Sequence, residues 1–413
     1  MQREKLAALG AKYTTPLYVF DAGKLAERLR TIKEIVGEQI HLCYSMKANP
    51  FLIRELPACV EHIEVCSPGE LSICKNQGIA PESIIYSGVH KASVDIGEAV
   101  AYGVGIATAE SIRHVELLNQ AVCEKKQAGA PRKVLLRLNA GSQFGMSKED
   151  LFMVLANREQ YPGLDFVGIH YFAGTQRRKI KGQIRELERL CEVYREIRDR
   201  FGIVFEKLEY GPGLPVPYFE GEDFADTLAP MRELAPQLLR TKETLDEICG
   251  HEVEVTIEMG RFYTAECGYF LTTVADAKSN EDVNYLILDG GIHQVNYLGQ
   301  MMGMKVPKIT HWRPDAEVGF VQVPRPEEGA DRKEWCLCGS LCTTSDIIVR
   351  QIPLTEPAIG DMLIFENTGA YSAMEGMLLF LSRAMPAVVI VREDGTEILA
   401  RGHVETSPLN QVQ

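Results

Sequence analysis

From residue 40 to 261 one pattern of apolar and polar positions repeats along the chain. A short apolar run is followed by a turn containing Gly, Ser or Asn, and then by a stretch whose apolar residues recur three and four apart. The short runs lie at 40–46, 63–67, 83–87, 104–108, 133–139, 166–172, 207–211 and 253–258. They read as strands, and the stretches between them, such as 180–201, read as amphipathic helices. Strands alternating with helices imply parallel pairing. Eight such units predict an α/β fold, a (β/α)8 TIM-like barrel.

After about residue 265 the pattern changes. Strand-like runs at 268–276, 283–288, 318–323, 335–338, 346–350, 362–365 and 387–392 follow one another without helices. Turn residues at Asn280-Glu281, Pro326-Glu327 and Asp394-Gly395 separate some of them, which predicts a C-terminal antiparallel β domain. The run 17–20 precedes the barrel and is expected to add a strand to that domain. The expected division is a barrel over 22–265 and a β domain over 1–21 and 266–413.

The length of 413 residues agrees with two domains, since it exceeds what one core usually takes. A formal charge of −13 argues against a nucleic-acid or anionic-membrane partner. No apolar run reaches membrane-span length, and the start (MQREKLAALG) lacks a secretory pattern. The 11 cysteines are scattered, odd in number and without paired CxxC sets, so no metal is expected and a reduced, cytoplasmic protein is.

In barrels of this kind, function sits at the C-terminal ends of the strands. Here those ends carry Lys47, then Glu64 and Ser67, then Ser87, Gly88, His90 and Lys91. Arg137, His170, Phe172, Gly174 and Thr175 follow, with Gly211-Pro212-Gly213 and Glu258-Met259-Gly260-Arg261 at the last two. A glycine turn exposes N–H groups that cradle phosphate, and Thr175 and Arg261 add a hydroxyl and a guanidinium. A buried lysine can form a Schiff base, and an acid opposite can keep a pyridine nitrogen protonated. Amine, acid and phosphate cradle describe pyridoxal 5'-phosphate (PLP) better than a nucleotide. Arg137 and His90 read as structural or peripheral, and the cluster Met301-Met302-Gly303-Met304 as core filling.

These residues resemble the fold-type III PLP-dependent decarboxylases, the alanine racemase-like barrel group that includes the diaminopimelate, ornithine and arginine enzymes. YSMKAN resembles that family's Y-x-x-K-A-N, EVCSPGEL its second-strand motif, and GIHYFAGTQ its H-x-G-S-Q segment. YGPGLPVPY is similar to its glycine loop and EMGR to its E-x-G-R. In the β domain, GSLCTTSD and FENTGAY are similar to G-P-x-C-x-x-x-D and to the segment ending G-A-Y. The resemblance implies that Lys47 carries the cofactor, that Glu64 lies beside it and that Glu258 holds the pyridine nitrogen. Gly211, Gly213, Thr175, Arg261 and Tyr371 would hold the phosphate. Cys342 would protonate Cα, Asp346 would lie near the substrate, and a homodimer would share its two active sites.

Three departures bear on the substrate. Phe172 stands where the family stacks a histidine on the ring, and His170 lies two residues earlier, on the same side of a regular strand. Thr343 follows Cys342 where many diamino-acid decarboxylases place an acid for the distal amine. The segment after Asp289-Gly290-Gly291 reads IHQVNYLGQMMGM, without the family's R-P-x-L-Y. The expected reaction is therefore decarboxylation of an amino acid, free or attached to a carrier or citrate, to its amine. The chain resembles the branch acting on conjugated amino acids in siderophore and antibiotic biosynthesis. The alternatives are a diaminopimelate or other diamino-acid decarboxylase of primary metabolism, and a non-catalytic PLP-fold binding protein. A racemase fits less well, because Glu258 stands where racemases usually carry an arginine.

Overall fold

The computed structural model describes residues 3–124, 131–222, 224–297, 303–327 and 333–412. The chain starts with helix α1 (Arg3–Tyr13), strand β1 (Leu17–Asp21) and helix α2 (Ala22–Val36). Eight strands then close into a parallel barrel in chain order: β2 (Ile40–Ser45), β3 (His62–Val65), β4 (Ile84–Tyr86), β5 (Ile106–Ala109), β6 (Arg132–Arg137), β7 (Leu164–Phe172), β8 (Lys207–Gly211) and β9 (Glu254–Met259). These are the eight predicted from the pattern. Each strand is buried along most of its length, as expected of a parallel sheet covered by helices.

The helices between strands are α3 (Pro68–Asn76), α4 (Ser93–Tyr102), α5 (Ile112–Glu124), α6 (Lys148–Ala156), α7 (Ile180–Phe201) and α8 (Ala229–Cys249). Helix α3 shows why β3 ends where it does. Ser67 caps it by accepting from Glu70 N (3.1 Å), Pro68 occupies its first turn, and Glu70 accepts in return from Cys66 N (2.6 Å). Inside the barrel, Cys43, Ile85, Ile106, Leu135 and Val167 form a fully packed layer.

The chain divides into two compact units, Arg28–Val216 with Asp226–Tyr263, and Met1–Glu27 with Pro217–Ala225 and Thr264–Gln413. The second unit holds β10 (Gly268–Asn280), β11 (Val283–Leu288), β12 (Ile309–Asp315), β13 (Gly319–Val323), β14 (Glu334–Cys338), β15 (Ile347–Pro353), β16 (Met362–Glu366), β17 (Ala387–Val391) and β18 (Glu397–Arg401). Their order is β13-β12-β16-β10-β1-β17-β18, with β11, β14 and β15 branching from β10. Strand β1 joins this sheet as expected, and most pairings are antiparallel. Two are parallel, β1 with β17 and β11 with β14. The branch arises at a bulge in β10 between Val274 and Asp276, where pairing passes from β16 to β11.

Strands β12 and β18 were not expected. Pro314 interrupts the alternation of β12, and β18 is a half-exposed hairpin partner with little apolar signal. Part of the methionine cluster, Met301 and Met302, lies outside the described residues. Among the described residues no helix is long and apolar enough to cross a membrane.

Candidate active site

Strand β2 ends at Ser45, and Lys47 follows in a single helical turn, Met46–Ala48. Register places Ser45 opposite Glu64 on β3 and Cys43 opposite Glu258 on β9. The two acids flank the end of β2 on either side. Lys47 Nζ lies 2.9 Å from Glu64 Oε2 and 3.6 Å from Glu258 Oε1. Both carboxylates are buried, whereas the Lys47 side chain is 42% exposed, so the amine faces an open space from a buried acidic base.

Ser45 Oγ lies 2.6 Å from Glu64 Oε2 and also bonds Glu258 Oε1. A hydroxyl has one hydrogen, so Ser45 donates to one acid at a time and couples the two. On the far side His170 Nε2 lies 3.2 Å from Glu258 Oε2. The carboxylate can only accept, so Nε2 carries the hydrogen. Burial works against the charged form of Glu258, but the Lys47 ammonium and the His170 hydrogen bond hold its carboxyl well below the usual range. His170 shifts the other way. Burial alone lowers it, and the nearby Glu209 charge with the Glu258 bond raises it overall.

Strand β7 keeps register with β8 from Gly168 to Phe172, so His170 and Phe172 point the same way, beside Glu209 and Gly211. A Cβ at Gly211 would come within 2.5 Å of the Phe172 ring, which is why the strand ends on glycine there. Gly213 has φ +60°, and a Cβ on it would fall 1.8 Å from Gly174 O. The loops after β7 and β8 thus lie backbone to backbone. Gln176 ties them further by accepting from Val216 N (2.7 Å) and donating to Val216 O (3.0 Å). Thr175 is exposed on the first loop and Arg261 half-buried just after β9. Gly260 lets β9 reach the lysine turn, since a Cβ there would meet Ala48 Cβ at 2.6 Å.

The structure therefore brings together Lys47, Glu64, His170 and Glu258, with Phe172, Thr175, Gly211, Gly213 and Arg261 at neighbouring strand ends. Sequence reading missed two members. Ser45 lies two residues before Lys47 and faces the same acids, and Glu209 lies two before Gly211 on the His170 side. Strand alternation puts Glu209 on the side of Gly211, but the part each plays comes from neighbours on other strands. Glu209 is buried, has no nitrogen or oxygen partner for either carboxylate oxygen among the described residues, and is pushed up to about 7 by burial. Arg137 pairs with Glu110 at 2.8 Å in a buried ion pair, in keeping with a structural part.

The other expected site residues belong to the β unit. Cys342 is exposed and Thr343 half-buried, its Oγ1 accepting from Ser345 N at 3.3 Å. Asp346 is buried, with Oδ1 accepting from Ile292 N (2.9 Å) and Oδ2 from Leu341 N (2.7 Å). Its carboxylate shapes the loop that presents Cys342. Tyr371 adopts φ +67°, a left-handed conformation costly for a side chain of that size.

Residues 22–265 match the family model described as the pyridoxal-binding domain of pyridoxal-dependent decarboxylases. Over 97% of this chain and 94% of the relative, it is 25% identical to L-glutamyl-(BtrI acyl-carrier protein) decarboxylase of Niallia circulans. It is also 25% identical to diaminopimelate decarboxylase of Aquifex aeolicus, over 96% and 91% of the two chains. Among solved structures, AQ1208 from Aquifex aeolicus superposes with TM-score 0.81 at 24% identity, covering 98% of this chain and 93% of the other. Diaminopimelate decarboxylase from Helicobacter pylori complexed with L-lysine gives 0.80 at 20% identity, covering 98% of each chain. The chain belongs to the PLP-dependent decarboxylases of the ornithine and diaminopimelate group, and is a PLP-dependent amino-acid carboxy-lyase.

Proposed function

We propose that this decarboxylase acts on an amino acid attached to a carrier or a larger conjugate, in specialised biosynthesis, as a cytoplasmic homodimer. The observation that carries this reading is Thr343. It occupies the position after Cys342 where an acid would meet the distal amine of a free diamino acid, and its hydroxyl is turned to the backbone of its own loop. A neutral residue there suits a substrate whose far end is not an ammonium. The absence of an arginine/tyrosine pattern after Asp289-Gly290-Gly291 points the same way. So does a curated relative whose name describes a glutamyl group on an acyl-carrier protein.

The residues present fit PLP on observable grounds. A primary amine stands beside two buried acids, and close packing against Phe172 and Gly174 O keeps the backbone at Gly211 and Gly213 free of side chains. Lys47 would hold the cofactor. Glu258, kept ionised, would accept the pyridine N–H, with His170 and Ser45 orienting its two oxygens. Thr175, Gly211, Gly213 and Arg261 would bind the phosphate, and Phe172 would cover one ring face. When bound, PLP supplies an electron sink for the pair left behind by CO2.

The chain's own contribution to catalysis is then electrostatic and positional. Glu258 keeps the ring-nitrogen proton in place. Phe172 offers an apolar surface where a leaving carboxylate loses hydration. The Cys342 thiol, supplied by the second subunit, returns a proton to Cα. The Lys47 amine would exchange with the substrate amine at the cofactor's carbonyl carbon, with Glu64 and Glu258 within reach of its nitrogen.

A substrate panel tests the proposal. CO2 release is measured from meso-diaminopimelate, lysine, ornithine, carrier-bound glutamate and citrate-conjugated diamino acids. The expected result is a kcat/KM for one of the conjugates at least ~10-fold above every free amino acid, about 1.4 kcal/mol of discrimination. Turnover of diaminopimelate far above all conjugates would overturn the proposal and favour the primary-metabolic reading.

A further inference from the structure

We propose that the N-terminal end of the barrel carries a binding site for a divalent transition metal, formed by His41, His62 and Glu254. The three come from β2, β3 and β9, and one ligand atom from each lies within 4.8 Å of the other two. The imidazole rings lie 6.3 Å apart between centroids and are tilted by only 23°. His62 Nε2 is 3.1 Å from Glu254 Oε1. His41 and Glu254 also line a cavity of about 650 Å³ that opens at this end.

The donor chemistry suits such an ion. His41 supplies an imidazole nitrogen, the commonest side-chain ligand of such ions. Glu254 supplies a carboxylate that contacts Lys207 through one oxygen and His62 through the other. Lys207 pairs with Oε2, which leaves Oε1 on the side of the imidazoles. Two imidazoles and a carboxylate form a known zinc donor set, whereas calcium and magnesium prefer oxygen alone. Zinc distances of about 2.0–2.2 Å place ligand atoms roughly 3.3 Å apart, within reach of modest rotamer changes in these partly exposed side chains. His41 Nδ1 is buried, has no hydrogen-bond partner among the described residues and lies 4.0 Å from Glu61 Oε1, so ligation there would satisfy that nitrogen.

The position implies a structural effect. Strands β2 and β9 are the first and last of the barrel and pair directly with each other. An ion held by β2, β3 and β9 would clip that closure. Lys47 follows the other end of β2, and His41 to Ser45 alone spans about 13 Å of strand at ~3.3 Å per residue, so the site is separate from the catalytic one. Linear spacing gives no hint of it, because the three ligands are far apart in sequence.

The test is calorimetric titration of ZnCl2 into the PLP-loaded full-length protein and its His41→Asn and His62→Asn variants, each first checked for wild-type far-UV dichroism. One equivalent per chain is expected, with affinity falling at least ~10-fold in each variant, and with zinc raising the wild-type melting temperature. Equal binding in wild type and variants, or no wild-type binding, overturns the proposal. The cobalt(II) spectrum of the wild type decides the matter if a variant does not fold. Weak d–d bands without sulfur-to-cobalt charge transfer support the site, and a sulfur band or no binding overturns it.

Discussion

His170 Nε2 lies 3.2 Å from Glu258 Oε2 within the barrel, and that contact helps the Lys47 ammonium to keep this acid ionised. Glu258 is flanked by Lys47 on one oxygen and His170 on the other, so it stays ionised despite burial. Replacing His170 by Leu removes one charge-assisted hydrogen bond, worth about 1.5–3 kcal/mol, so kcat should fall roughly 10–100-fold. The Glu258 pKa should rise toward the ordinary range in the variant. The acid limb of the kcat profile then moves to higher pH, which a pH–rate measurement on both proteins checks.

Glu209 gives a stability prediction of opposite sign. Its carboxyl is raised from 4.5 to about 7 in the folded chain, so between those values the folded state binds more protons than the unfolded one. Stability contributed by this group therefore falls as pH rises through that window and stays low above it. Glu209→Gln removes the dependence. Relative to wild type, the variant should gain up to about 3 kcal/mol between pH 4.5 and pH 8, from ~1.36 kcal/mol per pKa unit. Urea denaturation at the two pH values measures this.

Gly213→Ala places a Cβ 1.8 Å from Gly174 O at φ +60°. The left-handed conformation alone costs about 1–2 kcal/mol, and the loop must also move away from its neighbour. PLP affinity, followed by visible absorbance during titration of the apo protein, should fall at least ~10-fold.

Cys342→Ala leaves CO2 release possible but removes the proposed proton donor to Cα. General acids contribute roughly 100- to 10,000-fold, so turnover should fall by that order. Product analysis in the variant should show slow or misplaced protonation. Unchanged kcat and product would assign the proton to another group.

Much of this architecture was legible because the barrel strands are short apolar runs with turns at regular intervals, and each polar residue at a strand end faces the same way. Lys47, Glu64 and Glu258 could be placed from motif and strand position alone. Ser45 and Glu209 could not be singled out so easily, since their importance arises from neighbours on other strands: Ser45 from Glu64 and Glu258, Glu209 from its burial beside His170. Strand β12 was hidden by Pro314, and the parallel pairing of β1 with β17 joins segments some 370 residues apart, which periodicity cannot register. Asp346 was expected near the substrate, and its hydrogen bonds to Ile292 N and Leu341 N became visible only in three dimensions.

The central claim is that Lys47 is the amine that holds the cofactor. Borohydride reduction of the PLP-loaded protein, followed by proteolysis and mass spectrometry, tests it directly. The label is expected on the peptide containing Lys47, and to be absent from Lys47→Ala. The rival is Lys91, a buried amine lowered to about 8, mainly by burial, and hydrogen-bonded to Gly88 O. Label on Lys91 or elsewhere, with Lys47 unmodified, would contradict the account.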